Sequence, residues 1–346
     1  MPDSFIVTAI KSFVLVNLIM VLFAFMTWFE RRLIGRFQTR LGPNRVGPFG
    51  LLQPIADLGK LIQKESLIPA GSSRVLYLAA PAISLFTALL VFSVIPFGGE
   101  ATVPGTDFTF FLWIADPNVA LLLVFALGSF SFYGFLIGGW SSSSKYSLYG
   151  SMRAVSQLVS YEVSLALAVI GVVMMSQTLS LTGIVEAQQR DGIWYIVPQF
   201  AGFLIYLLAS TAEVSRIPFD LPEAEGELVA GYQVEYSGIS WGLFMLGEYA
   251  NIILLSGLCV ILFLGGWLPP FHVAPLTYVP GVVWFLLKTA IVIFVFTWTR
   301  ATLPRYRYDQ LMRLGWKIFL PASLGYLVLV AGALHLFGWL PEKMGG

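Results

Sequence analysis

Residues 196–264 read IVPQFAGFLIYLLASTAEVSRIPFDLPEAEGELVAGYQVEYSGISWGLFMLGEYANIILLSGLCVILFL. Both ends are apolar, over 196–212 and 241–264, and each run is about as long as the roughly 20 residues a helix needs to cross a hydrocarbon core. Between them, residues 213–235 hold Glu213, Asp220, Glu223, Glu225, Glu227 and Glu235 against a single cation, Arg216. The pattern is a pair of membrane helices joined by an acidic loop. Asp220, Pro222 and Glu223 form a helix-start signal, with Asp220 placed to cap free amides and Glu223 three residues on. The spacing predicts a short helix over about 221–230. On it Glu223 and Glu227 lie one turn apart, where like charges cost roughly a few tenths of a kcal/mol. Local stability does not select that pair. Either the loop is a solvated acidic surface, or it is a cluster whose protonation matters.

The rest of the chain repeats the apolar theme. Of 346 residues, 57% are hydrophobic and only 11% charged, against about a quarter charged in soluble domains. The fold class this implies is an all-α polytopic membrane protein with about eight transmembrane helices in one membrane domain. The expected spans are 8–29, 76–95, 111–137, 154–175, 196–212, 241–264, 282–299 and 316–337, with an inner loop at 30–74 and the acidic inner loop at 213–240. In the first loop Gly42-Pro43 and Gly47-Pro48 signal turns. After them Leu51, Ile55, Leu58 and Ile62 recur at helical intervals with Asp57, Lys60 and Lys64 between, the pattern of an amphipathic helix lying in the membrane interface. Basic residues in the proposed inner loops outnumber those outside by roughly five to one, which sets these loops on the cytoplasmic side and both termini outside. Lys11 ahead of a long apolar run, with no small-residue cleavage site, reads as a retained span.

Four ionisable residues fall inside or at the edge of spans: Glu162, Glu213, Glu248 and Lys288. A charge facing lipid at mid-membrane costs roughly 2.5–3.5 kcal/mol on insertion scales, so these side chains should face protein, water or one another. Buried ionisable groups of this kind suit a proton relay. The alternative for Lys288 is a structural ion pair with one of the glutamates.

Other chemistries find no support. One cysteine, Cys259, and two histidines, His272 and His335, cannot build an iron–sulfur cluster, which needs about four thiolates or a mixed His/Cys set. No metal or cluster is expected on this chain, and any redox centre must belong to a partner. Phosphate loops, metal-ligand spacings and nucleophile elbows are absent. The arginines of the first loop read as a topology signal and a contact for lipid headgroups or a docked subunit, and no nucleic acid is expected. Two classes remain from the residues alone: a proton-handling subunit docked to a redox partner, or a stand-alone proton-coupled secondary transporter.

Four stretches bear on that choice. ERRLIGRFQTRLGPNRVGPFGLLQP at 30–54, SMRAVSQLVSYEV at 151–163, RIPFDLPEAEGELVAGYQVEYS at 216–237 and TRATLPRYRYDQLMRLGWKIFLP at 299–321 resemble the quinone-site membrane subunit of respiratory complex I, the one numbered 1 in that family. The resemblance spans nearly the whole chain. It implies a subunit of proton-translocating NADH:quinone oxidoreductase, with ubiquinone or menaquinone as substrate. It also implies hydrophilic quinone-module subunits and neighbouring membrane-arm subunits as partners, and the bacterial plasma membrane, rather than the mitochondrial inner membrane, as location. Carried onto this sequence, Glu30, Arg31, Arg36, Arg40 and Asp57 belong to the quinone passage, with Arg216, Glu225 and Glu227 of the acidic loop beside it. Glu213, Asp220, Glu223 and Glu235 join the proton relay, which continues through Glu162 and Glu248; Lys288 enters that set on its buried charge alone. The departure is local: Val214 and Ser215 stand where many relatives carry Thr-Asn. Membrane-bound hydrogenase-type complexes use a homologous subunit, and that alternative stays open here.

Overall fold

The computed structural model describes residues 5–102, 109–222, 225–270, 276 and 278–336. Twelve α-helices can be followed in them. The first, α1 (Phe5–Phe37), is a single helix of 33 residues, about 50 Å long and longer than a hydrocarbon core is thick. Its last turns therefore lift Glu30, Arg31 and Arg36 beyond the apolar run, where the expected span stopped at residue 29. A 3₁₀ turn (Pro48–Gly50) leads into α2 (Gln53–Gln63), whose one-sided apolar pattern leaves Ile55, Leu58 and Ile62 exposed.

Then come α3 (Arg74–Phe92), α4 (Ala120–Ser141), α5 (Lys145–Ser176), α6 (Leu181–Asp191), α7 (Phe200–Glu213), α8 (Glu225–Leu228), α9 (Gly238–Phe263), α10 (Gly281–Thr302), α11 (Tyr308–Leu314) and α12 (Leu320–Leu336), with a π turn (Gly315–Phe319) before the last. Among the described residues seven helical stretches are long and apolar enough to cross a membrane, and α7 is a shorter apolar helix of 14 residues. The chain is a helical membrane protein.

Some local features depart from the sequence reading. Residues 111–119 are not the start of a span: β1 (Glu100–Thr102) pairs antiparallel with β2 (Thr109–Phe111), Glu100 opposite Phe111. Lys11 of α1 donates to the Phe111 carbonyl at 2.7 Å. Asp116 accepts from the hydroxyls of Ser180 and Thr182 just before Pro117, so the helix begins only at Ala120. Ser180 in turn caps α6, a helix where the sequence suggested a plain loop. In the acidic loop, α8 spans four residues instead of about ten, and Glu223 lies outside the described residues.

At the centre stands α9, most of whose length is buried against α3, α10, α1, α7 and the amphipathic α2. Its apolar side chains, Leu254 to Phe263, join the main core with Phe23 of α1, Val91 of α3, Leu165 of α5 and Phe285 of α10. By contrast α1 is nearly bare, with Phe5, Phe13 and Leu18 exposed. Glu248, the one charged residue of α9, lies in its first half, next to the acidic loop, and there the site forms.

Candidate functional site

Close backbone approach places the acidic loop. A Cβ at Gly150 of α5 would come within 2.6 Å of the Gly231 backbone, so only glycine lets the loop rest on α5. Ser147 then donates to the Tyr232 carbonyl at 3.0 Å. This brings Tyr232 and Gln233 beneath α9, where the Tyr232 hydroxyl donates to Glu248 Oε1 at 2.7 Å and Gln233 Nε2 to the same oxygen at 2.9 Å. At the loop's other end Gln157 of α5, fully buried, donates to the carbonyls of Ala212 at 2.6 Å and Phe219 at 2.7 Å. One amide thus ties down both sides of the segment that carries Arg216.

Arg216 reaches the second oxygen of Glu248 at 3.2 Å, with both side chains about nine-tenths buried. Its guanidinium also lies 5.0 Å from the centre of the Tyr249 ring, a cation–π contact that favours a desolvated arginine. The Tyr249 hydroxyl donates to Glu30 Oε2 at 2.8 Å, and the other Glu30 oxygen accepts from Arg300 of α10. A continuous polar network therefore runs from Gln233 and Tyr232 through Glu248, Arg216, Tyr249 and Glu30 to Arg300. Glu30 and Glu248, assigned on resemblance to separate passages, belong to one array in which each carboxylate has a guanidinium partner.

An apolar cavity of about 370 Å³ adjoins this array. Met20, Ala24 and Thr27 of α1, Leu58, Leu61 and Ile62 of α2, and Leu243 and Leu246 of α9 line it, and its polar boundary includes Arg31, Asp57 and Tyr249. Arg31 pairs with Asp57 at 2.8 Å, and Gln53 orients the other Asp57 oxygen. Tyr249 is shared: it borders the cavity, while its hydroxyl and ring face hold Glu30 and Arg216.

A second pair of carboxylates stands apart. Glu162 of α5 accepts from Ser129 of α4. Glu213, at the end of α7, feels Glu162 as a charged neighbour. Glu213 Oε2 is buried with no hydrogen-bond partner among the described residues. Asp220, half-buried in the loop, acts electrostatically on Glu248.

Other expected site residues fall elsewhere. Arg36 and Arg40 are exposed beyond the apolar cavity, Arg40 donating to Gln38 at 2.8 Å. Glu227 is exposed on α8 and receives Arg153 at 2.5 Å, which holds its carboxyl below the usual carboxylate range. Glu235 is half-buried, its backbone carbonyl accepting from Tyr77. For Glu225 only the backbone, at the start of α8, is described.

The structure does not bring Lys288 to the carboxylates. Its ammonium donates to the carbonyls of Leu264, Gly266 and Leu268 at 2.6, 3.0 and 2.6 Å and lies 4.1 Å from the Trp194 ring centre. That carbonyl set follows the far end of α9, roughly 24 Å along the helix from Glu248 at 1.5 Å per residue. Gly265 and Gly266, at φ +72 and +53, turn the chain there. Lys288 closes a helix end.

Sequence reading missed Tyr249, Tyr232, Gln233, Gln157 and Arg300. Gln157 and Arg300 lie within or beside the quoted motifs, but only the fold reveals their partners. Tyr249 follows Glu248 directly, and a tyrosine beside a buried glutamate was the one available signal.

Fold and site together define a polytopic helical membrane protein in which an apolar chamber shares a wall with a buried carboxylate–guanidinium network. The family model described as NADH dehydrogenase matches residues 10–331, and the chain belongs to that family. It is 51% identical over 319 residues to the H subunit of NADH-quinone oxidoreductase from Rhodospirillum rubrum, covering 92% of this chain and 91% of that protein. The same-named proteins of Rhodospirillum centenum and Magnetococcus marinus are each 49% identical, the first covering 99% of this chain and 97% of its own length, the second 95% and 92%.

Proposed function

We propose that this chain is the membrane subunit of a proton-translocating NADH:quinone oxidoreductase, forming much of the quinone chamber and coupling quinone reduction to proton movement through its glutamates. The observation that carries the reading is the double duty of Tyr249, which faces the apolar cavity on one side and the Glu30–Arg216–Glu248 array on the other. A cavity of about 370 Å³ is of the size that holds a small ligand, and its aliphatic lining suits an isoprenoid tail. The Arg31–Asp57 pair stands at the polar rim.

Electrons reach the quinone from a redox centre on a partner subunit. Negative charge developing on the headgroup near Tyr249 competes with Glu248 for Arg216. Loosening that pair changes the field on the acidic loop and on Glu213, and so the proton occupancy of Glu213 and Glu162. Asp220, Glu223 and Glu235 supply the loop side of this relay, and Glu225 and Glu227 frame its mouth with Arg153. Lys288 is left out because its ammonium is committed to three carbonyls. The Arg-rich face, with Arg36 and Arg40, meets hydrophilic quinone-module subunits on the cytoplasmic side of a bacterial plasma membrane, both termini lying on the other side. The bare flank of α1 meets lipid or neighbouring membrane-arm subunits.

Three variants in the intact complex test this. Ala24→Trp fills the chamber and is expected to raise KM for long-tailed quinone with little change for a short-tailed analogue. Glu213→Gln and Glu248→Gln are expected to depress proton translocation per NADH oxidised. Full pumping in both glutamine variants would overturn the coupling.

A further inference from the structure

The paired and unpaired carboxylates are separated by very little space, and what fills it is specific. Glu213 borders two small cavities. The first, about 10 Å³, also touches Glu248 and Tyr232. The second, about 20 Å³, reaches Phe125 and Gly128 of α4, next to Ser129, the donor to Glu162. Each is of the order of one water, for which about 10–15 Å³ suffices when polar partners are at hand. Among the described residues only two side chains line both: Glu213 and Asn251.

Asn251 is out of character for its helix. It opens the run NIILLSGLCVILF of α9, otherwise nearly all apolar. A carboxamide inside a membrane protein is costly unless its donors and acceptor are satisfied. Yet Asn251, half-buried and lining both cavities, makes no side-chain hydrogen bond to any described residue. Glu213, whose Oε2 is buried without a partner among the described residues, lines the same two cavities. A carboxamide both donates and accepts, so one side chain can orient a water on either side of it.

We propose that Asn251 is a positioning residue for proton transfer: it orders one water between Glu248 and Glu213 and another between Glu213 and the Ser129–Glu162 pair. This rests on the relay reading above and adds to it the element that joins the two carboxylate groups. Besides Glu213 and Asn251 the second cavity is walled by apolar residues, among them Phe125, Leu254 and Leu258. Without the carboxamide only the Glu213 carboxyl remains, short of the roughly two to four polar partners that hold an internal water. Proton transfer then loses its bridge, while the quinone chamber, lined by other faces of α1, α2 and α9, is untouched.

The test uses the whole oxidoreductase, purified with its partner subunits and reconstituted in proteoliposomes. Asn251→Leu keeps the branched shape, in a slightly larger side chain, and removes the hydrogen bonding. It is expected to lower protons moved per NADH about threefold or more, the scale of losing an ordered bridging water, with KM for quinone unchanged and a larger solvent deuterium isotope effect. Asn251→Ser, which restores a hydroxyl and leaves room for water, is expected to recover most of the pumping. If the leucine variant does not assemble, Asn251→Val decides on the same readouts. Glu213→Gln is measured in parallel. A pumping defect in Glu213→Gln beside wild-type pumping in the apolar Asn251 variant overturns the role of Asn251 alone. Wild-type pumping in Glu213→Gln overturns the relay itself.

Discussion

Glu248 and Glu213 border one small cavity, yet they are built in opposite ways. Glu248 receives Tyr232 and Gln233 on one oxygen and Arg216 on the other; Glu213 leaves an oxygen with no partner among the described residues. Neither arrangement is the cheapest way to build a core. A buried ion pair is often no more stable than a well-packed apolar replacement, and a buried polar atom without a partner costs roughly 1–3 kcal/mol. The contrast makes sense as a division of labour. The fixed pair fastens the acidic loop to α9 and, in the proposed coupling, senses charge in the chamber through Tyr249, while the bare carboxylate is free to exchange a proton without breaking a salt bridge.

The largest expected effect comes from breaking the fixed side. Arg216→Met leaves Glu248 buried without its cation and removes the contact on Tyr249. Breaking one partner of a buried pair costs about 3–5 kcal/mol, enough to lower the yield of assembled complex, as native gel electrophoresis and thermal unfolding will register. Arg216→Lys is expected to recover only part of this, because an ammonium cannot reproduce the flat stacking on the ring.

A smaller effect sharpens the comparison. Glu248→Gln removes the carboxylate that Arg216 pairs with and should destabilise the subunit by about 1–3 kcal/mol. Glu213→Gln changes a carboxylate that has no fixed partner and should leave stability within about 0.5 kcal/mol. Both lower pumping, but only the first lowers the melting temperature of the complex. Equal destabilisation by the two would show that Glu213 is held by a partner after all and would remove the contrast.

How far this contrast could be read from the chain depends on distance along it. The spans were legible because membrane crossing is written in contiguous apolar runs, and the amphipathic pattern of Leu51 to Ile62 marked a helix for the same reason. Boundaries were less so: Asp116 holding two hydroxyls of the α6 start delayed α4 to Ala120, a contact across 64 residues with Ser180. Glu162, Glu213 and Glu248 stood out as charges in apolar surroundings and Glu30 through the family resemblance, but their sorting into paired and unpaired depends on Arg300, Arg216 and Ser129. No local spacing announces these partners, Arg300 being 270 residues from Glu30. Lys288 was legible only in part, for the complementary reason. Its apolar neighbours marked a buried cation, but the backbone carbonyls that receive its ammonium leave no mark in a sequence.

The smallest effect tests the outer limit of the network. Arg153 and Glu227 form a third carboxylate–guanidinium pair, at 2.5 Å, but with 29% and 49% of their side chains exposed. Water and salt screen such a pair, and its worth is about 0.2–1 kcal/mol. The hydrogen bond from Arg153 holds Glu227 below the ordinary carboxylate value of 4.5, so the folded protein binds this proton less readily than the unfolded chain does. The stabilisation is therefore complete above that ordinary value and disappears as pH falls through the lower folded one. Glu227→Gln should lower the melting temperature slightly at neutral pH, and the difference from the parent should close once the pH drops well under 4.5. Raising salt from about 0.1 to 1 M, which shortens the screening length from about 10 to 3 Å, should shrink the difference at neutral pH while leaving that of Glu248→Gln nearly unchanged. A salt response shared by both would mean that the Arg216–Glu248 pair is open to water, and the sheltered array that couples the chamber to the carboxylates would lose its physical basis.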